Sequence, residues 1–393
     1  MDACLPQRRK YAPIFIKANR SVRGRSTRRI IALRIVHVAP CHETVPPSKD
    51  GGTERIVHEL TEGLVQAGHE VILYAPPGSS SSGTLITYPS RDMPEDQIAR
   101  FVRSTMPKGT ALVHDHTFSS AVGRMKPFPV PVICTLHLPT NNQVEHPVYV
   151  SSRALQLFGG SKGSFVYNGI RLEQYQFSEQ KESYLLFIGR IIREKGIQHA
   201  LDIADQTGEK LIIAGPIHDP GLFDQLIKPR IQRNRNISYV GPVGGQHKQD
   251  LLKHAKCVLF PSIWEEPFGL VMVEAMACGT PVLALNNGAT SEVLAGFPEY
   301  LCQTPEEMIQ KLPRISSIAT PAMLRQYVAD RFTTLQMTYR YLHLYEQVAA
   351  RHNAESKKAS SARAGFSSKS GKPNQLRNKT KKMARKRNKT LKR

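Results

Sequence analysis

From Arg34 onward the chain alternates between short apolar, β-rich runs and amphipathic helical stretches, and this alternation restricts the fold more than any other feature. "LRIVHVAP" reads as a buried strand. "GGTERIVHELTEGLVQAGH" opens on Gly51 and Gly52, keeps Ile56, Val57, Leu60, Leu64 and Val65 at helical spacing, and stops at Gly68. "EVILYAPP", "ALVHDH" and "VPVICTLH" continue the strands, followed by "SYLLFIGR", "KLIIAGPI", "ISYVGPV", "CVLFPS" and "PVLAL". Helices run through "IQHALDIADQTG" and "KQDLLKHAK". Strands that alternate with crossover helices form parallel sheets covered on both faces. A length of 393 residues suits two such domains. The expected fold class is therefore α/β, with doubly wound domains over 34–177 and 178–328 and a C-terminal helix over 329–351. A basic leader (1–33) and a Lys/Arg-rich tail (352–393) flank them, both expected to be disordered. Ligands of such folds sit at the carboxyl ends of the strands.

The net charge of +22 suggests nucleic acid until it is located. Residues 1–33 hold +8 and residues 351–393 hold +15, so the body over 34–350 holds −1. The tail has almost nothing to bury, and no aromatic residues interleave its cations for base stacking. A solubilising segment and a peripheral contact with an anionic membrane, polymer or RNA both fit it. The six cysteines are scattered without a CxxC pair, which suits reduced thiols in a cytoplasmic protein. No apolar run approaches the roughly 18 residues of a membrane span. The start lacks the apolar core of a secretion signal. The expected location is cytoplasmic, with the tail allowing a membrane-peripheral position.

"WEEPFGLVMVEAMACGTPVLA" (264–284) carries the chemistry. On one continuous helix, Glu266 and Glu274 would be turned apart by about 80° and separated by roughly 12 Å. Pro267 restricts Glu266 to extended backbone, and Gly269 loosens the turn, so the helix is expected to begin near Leu270 and end at Cys278 before Gly279 and Pro281. Glu266 then stands on a loop ahead of a helix N-terminus, with Glu274 just inside the helix. The free N–H groups of Phe268, Gly269, Leu270 and Val271 form an anion site between two hydroxyl-accepting carboxylates. A phosphate flanked by hydroxyls describes a nucleotide sugar.

Glu266 and Glu274 stand in E-x7-E spacing within "EPFGLVMVE". In chain order the sequence also carries "GGTERIV", "VHDH", "TLH", "VYNGIRLEQY", "FIGRIIREKG", "LIIAGP" and "EAMACGTPVLALNNGATSEV". Over about 34–350 this set resembles the retaining glycosyltransferases of family 4. That resemblance implies the GT-B architecture of two Rossmann-like domains facing a cleft. It implies that Glu274 holds the donor ribose, that Glu266 faces the transferred sugar, and that the backbone from Phe268 to Val271 meets sugar and diphosphate. Arg190 and Lys195 end and re-enter elements around one turn, and can both reach one diphosphate. Residues of these types in a strand–helix loop are ordinarily solvated, and it is the resemblance that makes them catalytic. Gly51 and Gly52 pack against the donor phosphates in the family, and His116 contacts the donor sugar. His114 and His137 read as structural donors. The H-x-H pair offers no third metal ligand at suitable spacing. No Asp-x-Asp is present, so neither a metal nor a cofactor is expected, the nucleotide sugar being a substrate.

The implied activity is hexosyl transfer from a nucleotide-diphosphate sugar, UDP-sugar favoured over GDP-mannose, to an acceptor hydroxyl of a glycan, lipid or small molecule. The base is expected to meet loop backbone at Gly241 to Gly245, which carries no side-chain code. Three alternatives stand beside it. They are a nucleotide-sugar epimerase on the same fold, a catalytically silent nucleotide-sugar-binding protein, and a basic nucleic-acid binder that rests on the tails alone. The segment 138–165 leaves little room for the helix the family places there, which bears on the acceptor side of the cleft.

Overall fold

A computed structural model describes residues 32–48, 51–140 and 142–367. The leader up to residue 31 and the tail from 368 lie outside the described residues, so the disorder expected of both is not addressed by the structure.

Among the described residues thirteen strands form two sheets, and every pairing in them is parallel. The first holds β1 (Arg34–Val38), β2 (Glu70–Ala75), β3 (Thr84–Thr87), β4 (Leu112–Asp115), β5 (Val132–Leu136), β6 (His146–Tyr149) and β7 (Ser164–Phe165), in the order 3-2-1-4-5-6-7. The second holds β8 (Tyr184–Ile188), β9 (Lys210–Ala214), β10 (Ile237–Tyr239), β11 (Cys257–Phe260), β12 (Val282–Leu285) and β13 (Leu301–Cys302), in the order 10-9-8-11-12-13. In both, the strand order reverses beside the first strand, which opens a crevice at the carboxyl edge. The fold is the expected pair of Rossmann-like domains. The helices that bear on the site are α1 (Gly52–Gln66), α2 (Ser152–Gly159), α3 (Ile197–Thr207), α4 (Gly245–His254), α5 (Leu270–Ala277), α6 (Thr290–Val293), α7 (Pro321–Arg331) and α8 (Thr334–Ser367).

Two expectations are revised. The segment 138–165 does accommodate a helix, because α2 is only eight residues long and closes on Gly160 in the left-handed region. The last helix runs to Ser367, past the expected end at 351, and α7 spans the expected boundary at 328.

Each sheet has its own core, and α8 completes the first. Met337, Tyr341, Tyr345 and Val348 of α8 cluster with Ile35 of β1 and with Ile56, Leu60 and Leu64 of α1. The chain thus returns from the second domain to seal the first. The two tyrosines bring hydroxyls into that core, where each needs a partner. Tyr345 Oη lies 2.6 Å from His114 Nδ1 and 3.4 Å from His37 Nε2. Tyr341 Oη lies 2.8 Å from Thr135 Oγ1, which is 2.6 Å from His114 Nε2. Replacing Tyr345 with Phe strands His114 Nδ1 in the core, so we expect a loss of about 1–3 kcal/mol of stability, read as a lowered urea midpoint at unchanged slope.

Candidate functional site

The loop after β11 and the start of α5 follow the parse that Pro267 and Gly269 dictate. Gly269 is the N-cap at φ +85°, no side chain caps the helix, and a methyl group there would come within 2.3 Å of Met272 Cε. Only glycine meets both demands. In the first turn Met272 N donates to the carbonyl of Gly269 at 3.0 Å, and no side chain reaches the N–H groups of Leu270 and Val271 ahead of it. Phe268 is buried, while Leu270 and Val271 pack partly against the core.

Glu274, in the second turn, is 1 % exposed. Its carboxylate accepts from Tyr175 Oη at 2.8 Å and from Lys248 Nζ of α4 at 2.7 Å. Burial alone would raise the pKa of this carboxyl. The charges of Lys248 and Arg55, with the two hydrogen bonds, overcome that and hold it below the usual range. Tyr175 is pushed the other way, well above 10, by burial and by the same carboxylate. Arg55, Tyr175, Gln176, Gln246, Lys248 and Gln249 line a pocket of about 280 Å³ beside this group. Arg55 belongs to the first turn of α1, which begins at Gly52 after Gly51 as an uncapped N-cap at φ +124°. Through Arg55 the start of α1 therefore approaches the Glu274 carboxylate from the other domain.

At the other end of the loop, Glu266 Oε2 accepts from Lys195 Nζ at 2.5 Å, with both side chains mostly buried. Lys195 Nζ also lies 5.3 Å from the centre of the Trp264 ring. The expectation of a lysine standing free for a diphosphate is thus modified: it is held on the carboxylate that was to face the sugar. Arg190 follows β8, half-buried, and among the described residues its guanidinium makes no ion pair or side-chain hydrogen bond. Arg193 is exposed, as its place in the loop suggested.

A cluster of buried histidines stands at the carboxyl end of the first sheet. β1 pairs with β4 so that His37 stands beside His114, and the ligand nitrogens of His37, His114 and His116 lie within 4.8 Å of one another. A third imidazole therefore does join the H-x-H pair, supplied by a neighbouring strand where spacing along the chain cannot show it. Most of their nitrogens are already engaged. His114 is bonded at both, His37 Nδ1 lies 2.8 Å from Thr61 Oγ1, and His116 Nδ1 lies 2.9 Å from His137 Nε2. His116 Nε2 is buried with no partner among the described residues. Burial pushes His37 and His137 down to about 3, and burial plus neighbouring imidazoles place His114 and His116 well below 6.5. The cluster is a set of neutral hydrogen-bonding groups.

Known proteins match this chain in the same two halves. Residues 50–159 match the family described as Glycosyltransferase Family 4, and residues 171–318 match Glycosyl transferases group 1. The chain belongs to the family 4 glycosyltransferases. This glycosyltransferase is 24% identical to a glycogen synthase of Mycobacterium tuberculosis over 352 residues, covering 70% of the chain and 83% of that enzyme. It is 31% identical to an uncharacterized glycosyltransferase of Methanocaldococcus jannaschii over 152 residues, which span 34% of the chain and only 38% of that protein. Among solved structures, AviGT4, a glycosyltransferase involved in avilamycin A biosynthesis, superposes with a TM-score of 0.66 at 26% identity, over 81% of this chain and 98% of that one. Anabaena HepE, with UDP and glucose, gives 0.64 at 16% identity over 80% and 100%.

Sequence reasoning quoted the segments that hold Arg55, Tyr175 and Lys248 without assigning those residues in the glycosyltransferase site. Only their convergence on Glu274 reveals them. The histidine cluster makes a pH prediction. A histidine neutral in the fold at pH 4–6 takes up a proton on unfolding, so its contribution is full above pH 6.5 and is lost as pH falls toward 3. Each proton is worth roughly 1.4 kcal/mol per pH unit. Urea titrations between pH 6 and 5 should give an uptake of about three to four protons from these four residues. An uptake below one proton would contradict a neutral cluster.

Proposed function

We propose that the protein transfers a sugar from a nucleotide-diphosphate donor, UDP-sugar first, to an acceptor hydroxyl with retention and without a metal ion. The observation that carries this reading is the arrangement around α5. An uncapped helix N-terminus lies between one carboxylate paired with Lys195 and another buried against Lys248 and Tyr175. HepE, a structural neighbour, was crystallised with UDP-glucose, and starch synthase IV with ADP and acarbose. Both support a nucleotide donor in this cleft.

On this reading the ribose hydroxyls bond Glu274, whose ionised oxygens are acceptors only. The diphosphate lies on the N–H groups of Phe268 to Val271, facing the turn at Gly51 and Gly52. Arg190 and Lys195 neutralise the charge that develops on the leaving phosphate, in the place a divalent ion would take. Lys195 exchanges its carboxylate partner for that phosphate, which frees Glu266 to accept from the sugar. His116 Nε2, neutral and without a partner among the described residues, meets a sugar hydroxyl once donor binding uncovers its buried ring. The departing phosphate takes the acceptor's proton on the face where the new bond forms, so no carboxylate is needed on the opposite face. Catalysis then rests on charge stabilisation and alignment. The basic tail adds peripheral contact with an anionic surface, and the acceptor is a hydroxyl compound held against the first domain.

Thermal shift against UDP, GDP, ADP and their sugars tests the donor. A ligand at about 100 times its Kd adds about 2.7 kcal/mol, and we expect the largest rise in Tm with UDP-sugars. Lys195→Ala and Glu274→Ala should remove that rise and abolish turnover, and circular dichroism should show that both variants still fold at the assay temperature. Near-normal donor response in Glu274→Ala would refute the assignment.

A further inference from the structure

The eight-residue helix α2 of the first domain has its N-terminus satisfied by the second domain. The side chain of its N-cap, Ser151, accepts from Ala154 N at 3.0 Å. The two remaining first-turn donors, Ser152 N at 3.0 Å and Arg153 N, go to the two carboxylate oxygens of Glu292 on α6. Glu292 also accepts from Tyr167 Oη at 2.8 Å. A helix start is a favourable place for a carboxylate, but this carboxylate comes from the opposite side of the cleft. The segment that carries it also braces the donor loop. Ala289 N donates to the carbonyl of Glu266 at 2.8 Å, and Gly288 N donates to Glu265 Oε2 at 3.0 Å. Gly288 sits at φ +59°, where an added methyl would come within 2.2 Å of Glu266 N, so loop and segment are in backbone contact. Glu265 in turn meets Arg153 Nη2 at 3.3 Å.

We propose that Glu292 is an interdomain latch and a positioning residue for the transfer reaction. Its contact with the start of α2 holds the first domain against the donor loop, and the brace from 288–289 sets the backbone of Glu266 as the cleft closes. Two domains joined by a short connection move relative to one another unless such contacts hold them. The Glu292 carboxylate, holding two backbone N–H groups and the Tyr167 hydroxyl, is one of the bonds that restrain the movement. The inference rests on the proposed reaction for its purpose but not for its test.

Ser152→Pro isolates the latch. Proline is favoured at the first helical position, and Ser151 is already extended, so α2 survives while one of the two N–H groups is removed. Amide hydrogen exchange of the full chain, compared with Glu292→Gln, reads the result. In Glu292→Gln we expect the amides of Ser152 and Arg153 to exchange at least about tenfold faster, with the strands of both sheets unchanged. Both variants should show a larger radius of gyration in solution scattering. The Tm rise with UDP should persist, with kcat falling more than KM for the donor changes. Unchanged exchange at 152–153 in Glu292→Gln, or an unchanged radius of gyration in Ser152→Pro, overturns the latch. Absence of any UDP response in the wild type would instead count against the donor reading and leave the exchange result standing.

Discussion

An ionised carboxylate removed from water has to be met by charge and donors, since its desolvation costs several kcal/mol. Glu274 is such a group, and much of the cleft is organised around it. Lys248 comes from α4, Tyr175 from the connection between the domains, and Arg55 from α1. Four separate parts of the chain are thus drawn to one point at the end of the second sheet. The cation is partly open to solvent and the carboxylate is not, so the carboxylate stays ionised in a fixed place.

The histidine cluster is made on a different principle. Its histidines carry no charge and are held by hydroxyls: Thr61 on α1, Thr135 on β5, and Tyr341 and Tyr345 on α8. The ring of His114, fixed at both nitrogens, lies 3.9 Å from that of His116 and forms the floor beneath it. This neutral scaffold keeps His116 Nε2, which has no partner among the described residues, in a defined position.

The strand–helix alternation was legible because strands buried on both faces are continuous apolar runs, and β1, β2, β8 and β11 announce themselves in that way. β3, β6, β7 and β13 were not read. They are two to four residues long and lie at or near sheet margins, and Pro147 interrupts β6. Local rules also located the start of α5, since Pro267 and Gly269 act on their own backbone. Partnership was less accessible. The bond between Lys195 and Glu266, the approach of His37 to His114, and the grip of Lys248 on Glu274 are set by which strands and helices lie side by side. Residue spacing within one segment has no knowledge of these. Glu292 was inside a quoted motif and unassigned for the same reason, its partners being main-chain groups 139 and 140 positions away.

The return of α8 to the first domain has a consequence for synthesis. Chains emerge from the ribosome N-terminus first, and domains generally fold as units as they appear. Here the first domain cannot finish when its own strands are out. The apolar face of α1, the Thr135 hydroxyl and His114 Nδ1 wait for Tyr341 and Tyr345, which are encoded after the whole second domain. The histidine side of the cleft is therefore assembled last, and a chain cut short before α8 would carry the donor half of the site without a finished surface to meet it.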